Sequence, residues 1–571
     1  MVGTWRRAGA LVVSTVLGAT LAGCGSDDSG ADAGTLTVLH HQPYESADPQ
    51  RIYVGAQLAH FRRLVYRSLV AFPMSEDEVE ASTPVPDLAT DTGTSRRGGR
   101  EWSFTLKDGV TWEDGSELTC EDVRYGTSRS FATDVITGGP TYMVNRLDVP
   151  RDRSGRPVYR GPYSGVGQRH FDRAVTCEDD TITFRFAEPW VDFPLAVAAT
   201  MMVDPYRESE DQGARSQWRV FSNGPYRVEG GEWSRTEGAT LVRNEEYDSA
   251  TDSPEELRRA LPDRIEMVVE ASETAGELFN ERLIEDAPAD RRSITIARVG
   301  PAQLPRLTGD VARRYVRSPS PFTGFLVPNT ERLDDVAVRR ALALATDTEG
   351  WVTALGGERV AEPSENLVNP SIPGWTELDA FSGSNSGDPE TARDMLRRAG
   401  VRTPVPLKVA YLGGPTTDKA MAALKAGWDA AGFETTLDPL GATYYDVISR
   451  RDDEYDLTWA GWAADWPTMA AVLPPLFDSR PNFSPGSCGQ NFGCYQSEEF
   501  ETLVDRALAA TDVEEQTRIL QEANEVLARD VAYIPLEVST TSWVHGSEVT
   551  GFTVTAASNH FPEIGLIGVE D

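Results

Sequence analysis

"WSFTLKDGVTWEDGSELTCEDVRYG", residues Trp102–Gly126, changes its period half-way along. From Trp102 to Trp112 apolar and polar residues alternate, as in a strand with one buried face. Two Asp-Gly pairs, Asp108-Gly109 and Asp114-Gly115, punctuate the run, which predicts a β-hairpin. Thr119 then stands where a helix N-cap would, with Asp122 three residues on, close to a capping box. Strand, turn and helix within 25 residues mark a mixed α and β chain.

Outward from this stretch the same mixture continues. Thr35 to Leu39 and Thr181 to Phe186 read as strands, and residues 154–173, rich in Gly, Pro and Arg, as a loop. The second half is more helical. Val336 to Ala345 has apolar residues at helical spacing, and Asp388-Pro389 opens a helix that Gly400 stops. A helix from Asp418 to Ala431 lies between strands at Leu407–Tyr411 and Leu457–Trp462, a βαβ-type region. Helices are expected at Phe500–Ala509 and Val513–Arg529, then strands at Ile534–Val538 and Gly551–Thr555.

A chain of 571 residues exceeds what one core supports, so two or three lobes are expected. Its formal charge of −35 argues against nucleic acid and against an anionic membrane surface for the folded part. The N-terminus reads as a targeting segment. Arg6 and Arg7 precede the apolar run Leu11 to Ala22, which is too short to span a bilayer and fits a signal peptide over residues 1–23. The run ends in Leu21-Ala22-Gly23-Cys24, which resembles the lipobox of bacterial lipoproteins, with Cys24 as the lipidated residue. Residues 24–34 would then be a flexible, lipid-anchored tether. Four cysteines remain, and sequence proximity suggests the disulfides Cys120–Cys177 and Cys488–Cys494. Neither a CxxC spacing nor a nearby His supports zinc instead.

Motifs for chemistry are missing: there is no HExxH, GxxxxGK[ST], GxSxG or GxGxxG. No metal or cofactor is called for, and an enzyme is the minority reading. The segment "LTWAGWAADWPTM", Leu457 to Met469, is the candidate site. Two readings are open for its three tryptophans: packing, with Asp465 a turn residue, or a site with Asp465 at its end. Alternation puts Leu457 and Trp459 on one strand face and Trp462 on the other.

Five segments in order resemble the bacterial family-5 extracellular solute-binding proteins, the oligopeptide- and dipeptide-binding lipoproteins of ABC importers. They are Asp87–Phe131, which contains the opening stretch, then Ser222–Trp233, Asp334–Val352, Asp388–Val401 and Tyr455–Met469. The resemblance implies an α/β, two-lobed periplasmic-binding-protein-like fold of type II, of the large class with an extra domain, and a ligand cleft between the lobes. It divides the chain into a first lobe (35–74, 219–320 and 546–571), an extra domain on that lobe (75–218) and a second lobe (321–545). It also implies a non-enzymatic, monomeric receptor for peptides, membrane-attached on the extracytoplasmic face. Its partners would be the permease and ATPase subunits of the importer. In the oligopeptide binders a Gly-Trp-x-x-Asp segment lines the cleft and its Asp takes the peptide ammonium. Gly461, Trp462, Ala463 and Asp465 match it, with Trp466 next in line; Tyr53, Gly55, Tyr142 and Phe325 are expected to face the same cleft. The family often continues Asp-Tyr-Pro-Asp-Pro, whereas here Asp465-Trp466-Pro467-Thr468 follows, without the second acid. A receptor for an oligosaccharide or a metal or haem complex is the alternative within the fold, and a secreted hydrolase the alternative outside it.

Overall fold

The computed structural model describes residues 34–53, 55–253, 257–272, 274–378 and 385–570. The signal peptide, Cys24 and nearly all of the tether lie outside the described residues.

Around the opening stretch the extra domain forms a four-stranded antiparallel sheet. Its order is Thr94–Arg96, Glu101–Thr105, Thr181–Arg185, Val175–Glu178. The expected hairpin is only partly there. Glu101–Thr105 pairs with Thr94–Arg96 and Thr181–Arg185, not with the residues that follow it. What remains is a tight loop in which Trp112 N–H donates to Ser116 O at 2.8 Å. The physical reason is burial: Phe104, Leu106, Val110 and Trp112 all enter one core, so the chain after Asp108-Gly109 packs inward instead of pairing back. The helix Cys120–Arg129 begins as read, its Asp122 carboxylate accepting from the Thr119 N–H at 2.9 Å and hydroxyl at 3.0 Å. Gly126 is required by close approach, since a Cβ there would lie 2.1 Å from the Asp204 carbonyl oxygen. Disulfide Cys120–Cys177 ties this helix to the strand Val175–Glu178.

A five-stranded sheet builds the first lobe, in the order Ser293–Thr295, Thr35–His40, Arg264–Val269, Gly238–Arg243, Tyr226–Val228. Leu36, Val38, Ile265, Met267 and Ile294 form its core, which the distant Val549, Ile564 and Ile567 complete. Buried ion pairs join this lobe to the extra domain. Arg129 reaches Asp48 at 2.6 Å and Asp211 at 2.9 Å, over the face of Tyr206. Asp87 lies between Arg67 at 2.9 Å and Arg258 at 2.6 Å. Burial opposes its charge, but the two guanidiniums outweigh burial and hold its pKa below the carboxylate range.

The second lobe has a six-stranded mixed sheet: Ala361–Pro363, Ile534–Val544, Tyr315–Pro328, Leu457–Trp462, Val405–Leu412, Phe433–Leu440. The helix Pro415–Ala431 crosses between the parallel strands Val405–Leu412 and Phe433–Leu440. That last strand is absent from the sequence reading. Ile534–Val544 runs six residues beyond Val538. Gly551–Thr555, expected as a strand, contributes only the isolated bridge Val554–Pro562. The loop expected over 154–173 runs into the helix Gln168–Ala174.

Tyr315–Pro328 and Ile534–Val544 pass from one lobe to the other. Tyr315 and Val544 pack with Leu283 and Val299 of the first lobe, while Leu326 and Ile534 pack in the second. Their pairing breaks between Pro319 and Thr323. Pro319 and Pro321 have no N–H to give the ladder, so the break falls where the sequence cannot bond.

Candidate ligand cleft

Leu457–Trp462 pairs antiparallel with the crossing strand, Thr323 opposite Trp462 and Phe325 opposite Ala460. The faces separate as the alternation predicts. Leu457 and Trp459 join one core, whereas Phe325, Ala460 and Trp462 belong to the other. Trp462 Nε1 donates to Ala471 O at 3.0 Å, so this ring is half-buried packing. Phe325 is 1% exposed among Val327, Leu473 and Ala460. The expectation that it faces the cleft is corrected: strand alternation turns it into the core beneath. Gly461 stands opposite Gly324, so two residues without side chains pair at the end of the strand.

Past Trp462 the chain leaves the sheet through Ala463 and Ala464 and presents Asp465 to the other side of the cleft. Tyr53 donates its hydroxyl to Asp465 Oδ1 at 2.8 Å, and Tyr142, at the start of the helix Tyr142–Arg146, donates to Oδ2. The two phenol oxygens are 3.4 Å apart. Three residues expected in the site from distant parts of the chain therefore meet. Burial raises the pKa of Asp465, and the two hydroxyl donors work against that rise. Burial, and then the charge of Asp465, push both phenols up, so each remains a donor. Gly55 opens the helix Gly55–Leu64, and a Cβ there would stand 3.3 Å from Asn559 and Phe561.

Trp466 is placed differently from Trp462. Only 4% exposed, it packs in the extra domain's core and not in that of its own lobe. Its Nε1 donates to Asp192 Oδ2 at 2.5 Å, a bond joined by Thr468 Oγ1 at 3.2 Å. Its ring meets Tyr142 edge-on at 4.9 Å. Asp192 carries no motif, so nothing in the sequence marked it.

Between the lobes lies a cleft whose empty space, the solvent at its open mouth included, is about 770 Å³. Asp465, Trp466 and Ile372 line it from one side, and Leu58, Arg62 and His560 from the other. Arg63, also in the wall, is held by both oxygens of Glu563, at 3.0 and 3.2 Å. Arg62 donates to the carbonyl oxygens of Val197 and Thr200. Burial, and next the charge of Arg298, lower His560 to about 4, so it is neutral at pH 7. Among the described residues no group of three or more His, Cys, Asp or Glu side chains could hold a metal ion.

The model of the bacterial extracellular solute-binding proteins, family 5 middle, matches residues 83–484, well over half of the chain. The chain belongs to this family. Its members bind solutes, which agrees with a cleft that holds one carboxylate and no catalytic motif. The probable D,D-dipeptide-binding periplasmic protein DdpA of Escherichia coli is 23% identical over 504 residues, covering 85% of each chain. The periplasmic oligopeptide-binding protein OppA of Salmonella typhimurium is 22% identical over 521 residues, 89% of this chain and 87% of that one. Among solved structures, the clavulanic acid biosynthesis oligopeptide binding protein 2 superposes with a TM-score of 0.83 at 28% identity, over 94% of this chain and 96% of that one. The family-5 fold thus spans nearly the whole described molecule.

Proposed function

We propose that this chain is a lipid-anchored receptor that captures peptides between its lobes and delivers them to an ABC importer. The observation that carries the reading is Asp465. It is a half-buried carboxylate between two lobes that accepts from two phenol hydroxyls and, among the described residues, has no ion-pair partner. A peptide ammonium supplies the missing positive charge, and a buried charge without a partner is costly. Relatives named for dipeptides and oligopeptides support the same class. The oligosaccharide alternative loses its platform, because the Trp466 ring is buried and Trp462 is packed.

Calorimetry tests this reading with a peptide that co-purifies. Truncating one partner of a desolvated pair costs about 2–5 kcal/mol, roughly 30- to several-thousand-fold in affinity. Asp465→Asn and N-acetylation of the peptide should each cause such a loss, and the two should not add. Equal binding of free and acetylated peptide by parent and variant would make Asp465 a turn residue. The anchor is tested by Cys24→Ser, which should leave the protein unprocessed or release it from membranes. Unchanged membrane fractionation of that variant would remove the lipobox from the account.

A further inference from the structure

The extra domain carries a basic face on an acidic molecule. Residues 151–173, "RDRSGRPVYRGPYSGVGQRHFDR", hold six arginines against two acids, a formal charge of +4 in a chain whose total is −35. Both acids are taken: Asp152 pairs with Arg160 at 2.6 Å, and Asp172 pairs with Arg124. Arg151, Arg153, Arg156, Arg169 and Arg173 are exposed, and among the described residues none of them has an ion-pair partner. Arg169 and Arg173 stand on either side of His170, at 3.5 Å from its Nε2 and 2.7 Å from its Nδ1. Two cations are thus gathered around one ring with no acid to neutralise them.

Packing gathers this segment into one surface. The Tyr159 ring stacks on Phe171 at 4.6 Å, which lays the loop on the helix Gln168–Ala174. Val158, Arg169 and His170 line one open hollow, so the two ends of the segment meet there. Two turns stand clear of the body, since a Cβ at Gly155 or at Gly165 would meet nothing within 4 Å. Tyr163 and Val166, 40% and 56% exposed, flank the second turn. Arg151 reaches the other way. It donates to the carbonyl oxygens of Val144 and Asn145 at 3.2 and 3.1 Å, in the helix that brings Tyr142 to Asp465. The basic surface therefore adjoins the cleft.

We infer that this surface docks on the anionic phospholipid headgroups of the membrane. Guanidiniums spread over projecting turns suit phosphates that can move to meet them. An exposed tyrosine and valine beside those cations suit the bilayer interface. The total charge opposes such contact, but at physiological salt the Debye length is about 8 Å, so the nearest charges decide. Each arginine close to an anionic surface multiplies binding about five-fold. The inference rests on the lipid-anchor reading for its setting: a tether of residues 24–34 spans at most about 40 Å, which keeps the folded part near the bilayer. Docking there turns the wall that carries Tyr142 toward the membrane, where the importer lies.

Vesicle flotation of the full mature chain carrying Cys24→Ser tests it, because binding then owes nothing to an acyl chain. The probes are vesicles of phosphatidylcholine alone and of phosphatidylcholine with one-third phosphatidylglycerol. This protein should bind the anionic vesicles about ten-fold or more tighter than the neutral ones, and high salt should abolish the difference. Arg153→Glu, Arg156→Glu, Arg169→Glu and Arg173→Glu together should remove the preference. Arg235→Glu, Arg398→Glu, Arg402→Glu and Arg450→Glu, an equal change at exposed sites elsewhere, should keep most of it. Arg153→Gln with Arg156→Gln guards against misfolding, since these side chains make no hydrogen bond to the described residues, and should weaken binding several-fold. Equal binding to both vesicles before any reversal, or equal losses from the two reversed sets, overturns the inference. Soluble poly-glutamate that strips the protein from the vesicles at matched charge assigns the surface to an acidic protein and also overturns it. The anchor is judged separately, by membrane fractionation of Cys24→Ser.

Discussion

At Glu537 a carboxyl group is sealed into the strand that passes between the lobes. Among the described residues its one side-chain hydrogen-bond partner is the Trp351 indole, which donates at 2.7 Å, and burial raises its pKa to about 8. Gly324 stands opposite because a Cβ there would lie 2.1 Å from the Glu537 carboxylate. The folded chain therefore keeps a proton that the unfolded chain, with a pKa near 4.3, has released. Stability should fall as pH rises between those two values, on the order of 2 kcal/mol from pH 5 to pH 7. Glu537→Gln should remove that slope and raise the melting temperature at pH 7. Parallel melting curves for parent and variant across this range would show that Glu537 is ionised in the fold. Single residues were also where sequence reasoning was most uneven. Asp465, Tyr53 and Tyr142, each expected to face the cleft, are hydrogen-bonded to one another. Phe325 does not face it, because a one-residue difference along a strand separates cleft from core. Asp192 carries no motif, and only its placement beside Trp466 and Thr468 distinguishes it from dozens of similar side chains.

Elements with strong local signals were legible. Val513–Arg529 has the ends the sequence gives it, with Asp512 as the cap accepting from Glu515 N–H. Phe433–Leu440 was not legible, since it is an edge strand whose outward positions are exposed and whose "FETTLDPL" mixes acids and a proline into the run. The hairpin at Asp108-Gly109 failed for a tertiary reason, the inward packing of Val110 and Trp112. Both disulfide pairings guessed from proximity are present. Cys120–Cys177 closes the longer loop, with a separation of 57, and its removal should cost roughly 4 kcal/mol on chain-entropy arithmetic. Melting of a Cys120→Ser, Cys177→Ser double variant measures this, and an unchanged midpoint would deny the crosslink any role in stability. The segment Trp466–Thr468 is an element of another kind, a clasp from one lobe in the other's core. Trp466→Ala should open the unliganded protein, seen as a larger radius of gyration in small-angle scattering. The same radius as the parent would mean that the clasp does not hold the lobes.

Over the whole molecule, two proline-broken strands join lobes whose facing walls carry Asp465 and the two tyrosines. A ligand that touches both walls binds the shut form more tightly than the open one, and only that difference can shift the equilibrium. Saturating ligand should therefore reduce the radius of gyration of the parent, and an unchanged scattering curve would argue against hinge closure. The order of segments along the chain made this architecture readable, because a discontinuous lobe leaves its pieces in a fixed sequence. The ligand was less readable, because a cleft's preference depends on a few side chains brought together from far apart. Native mass spectrometry of the protein, purified without denaturation, tests the central claim most directly. The account predicts a set of co-purified peptides with free N-termini. A sugar or a metal chelate in their place would contradict it.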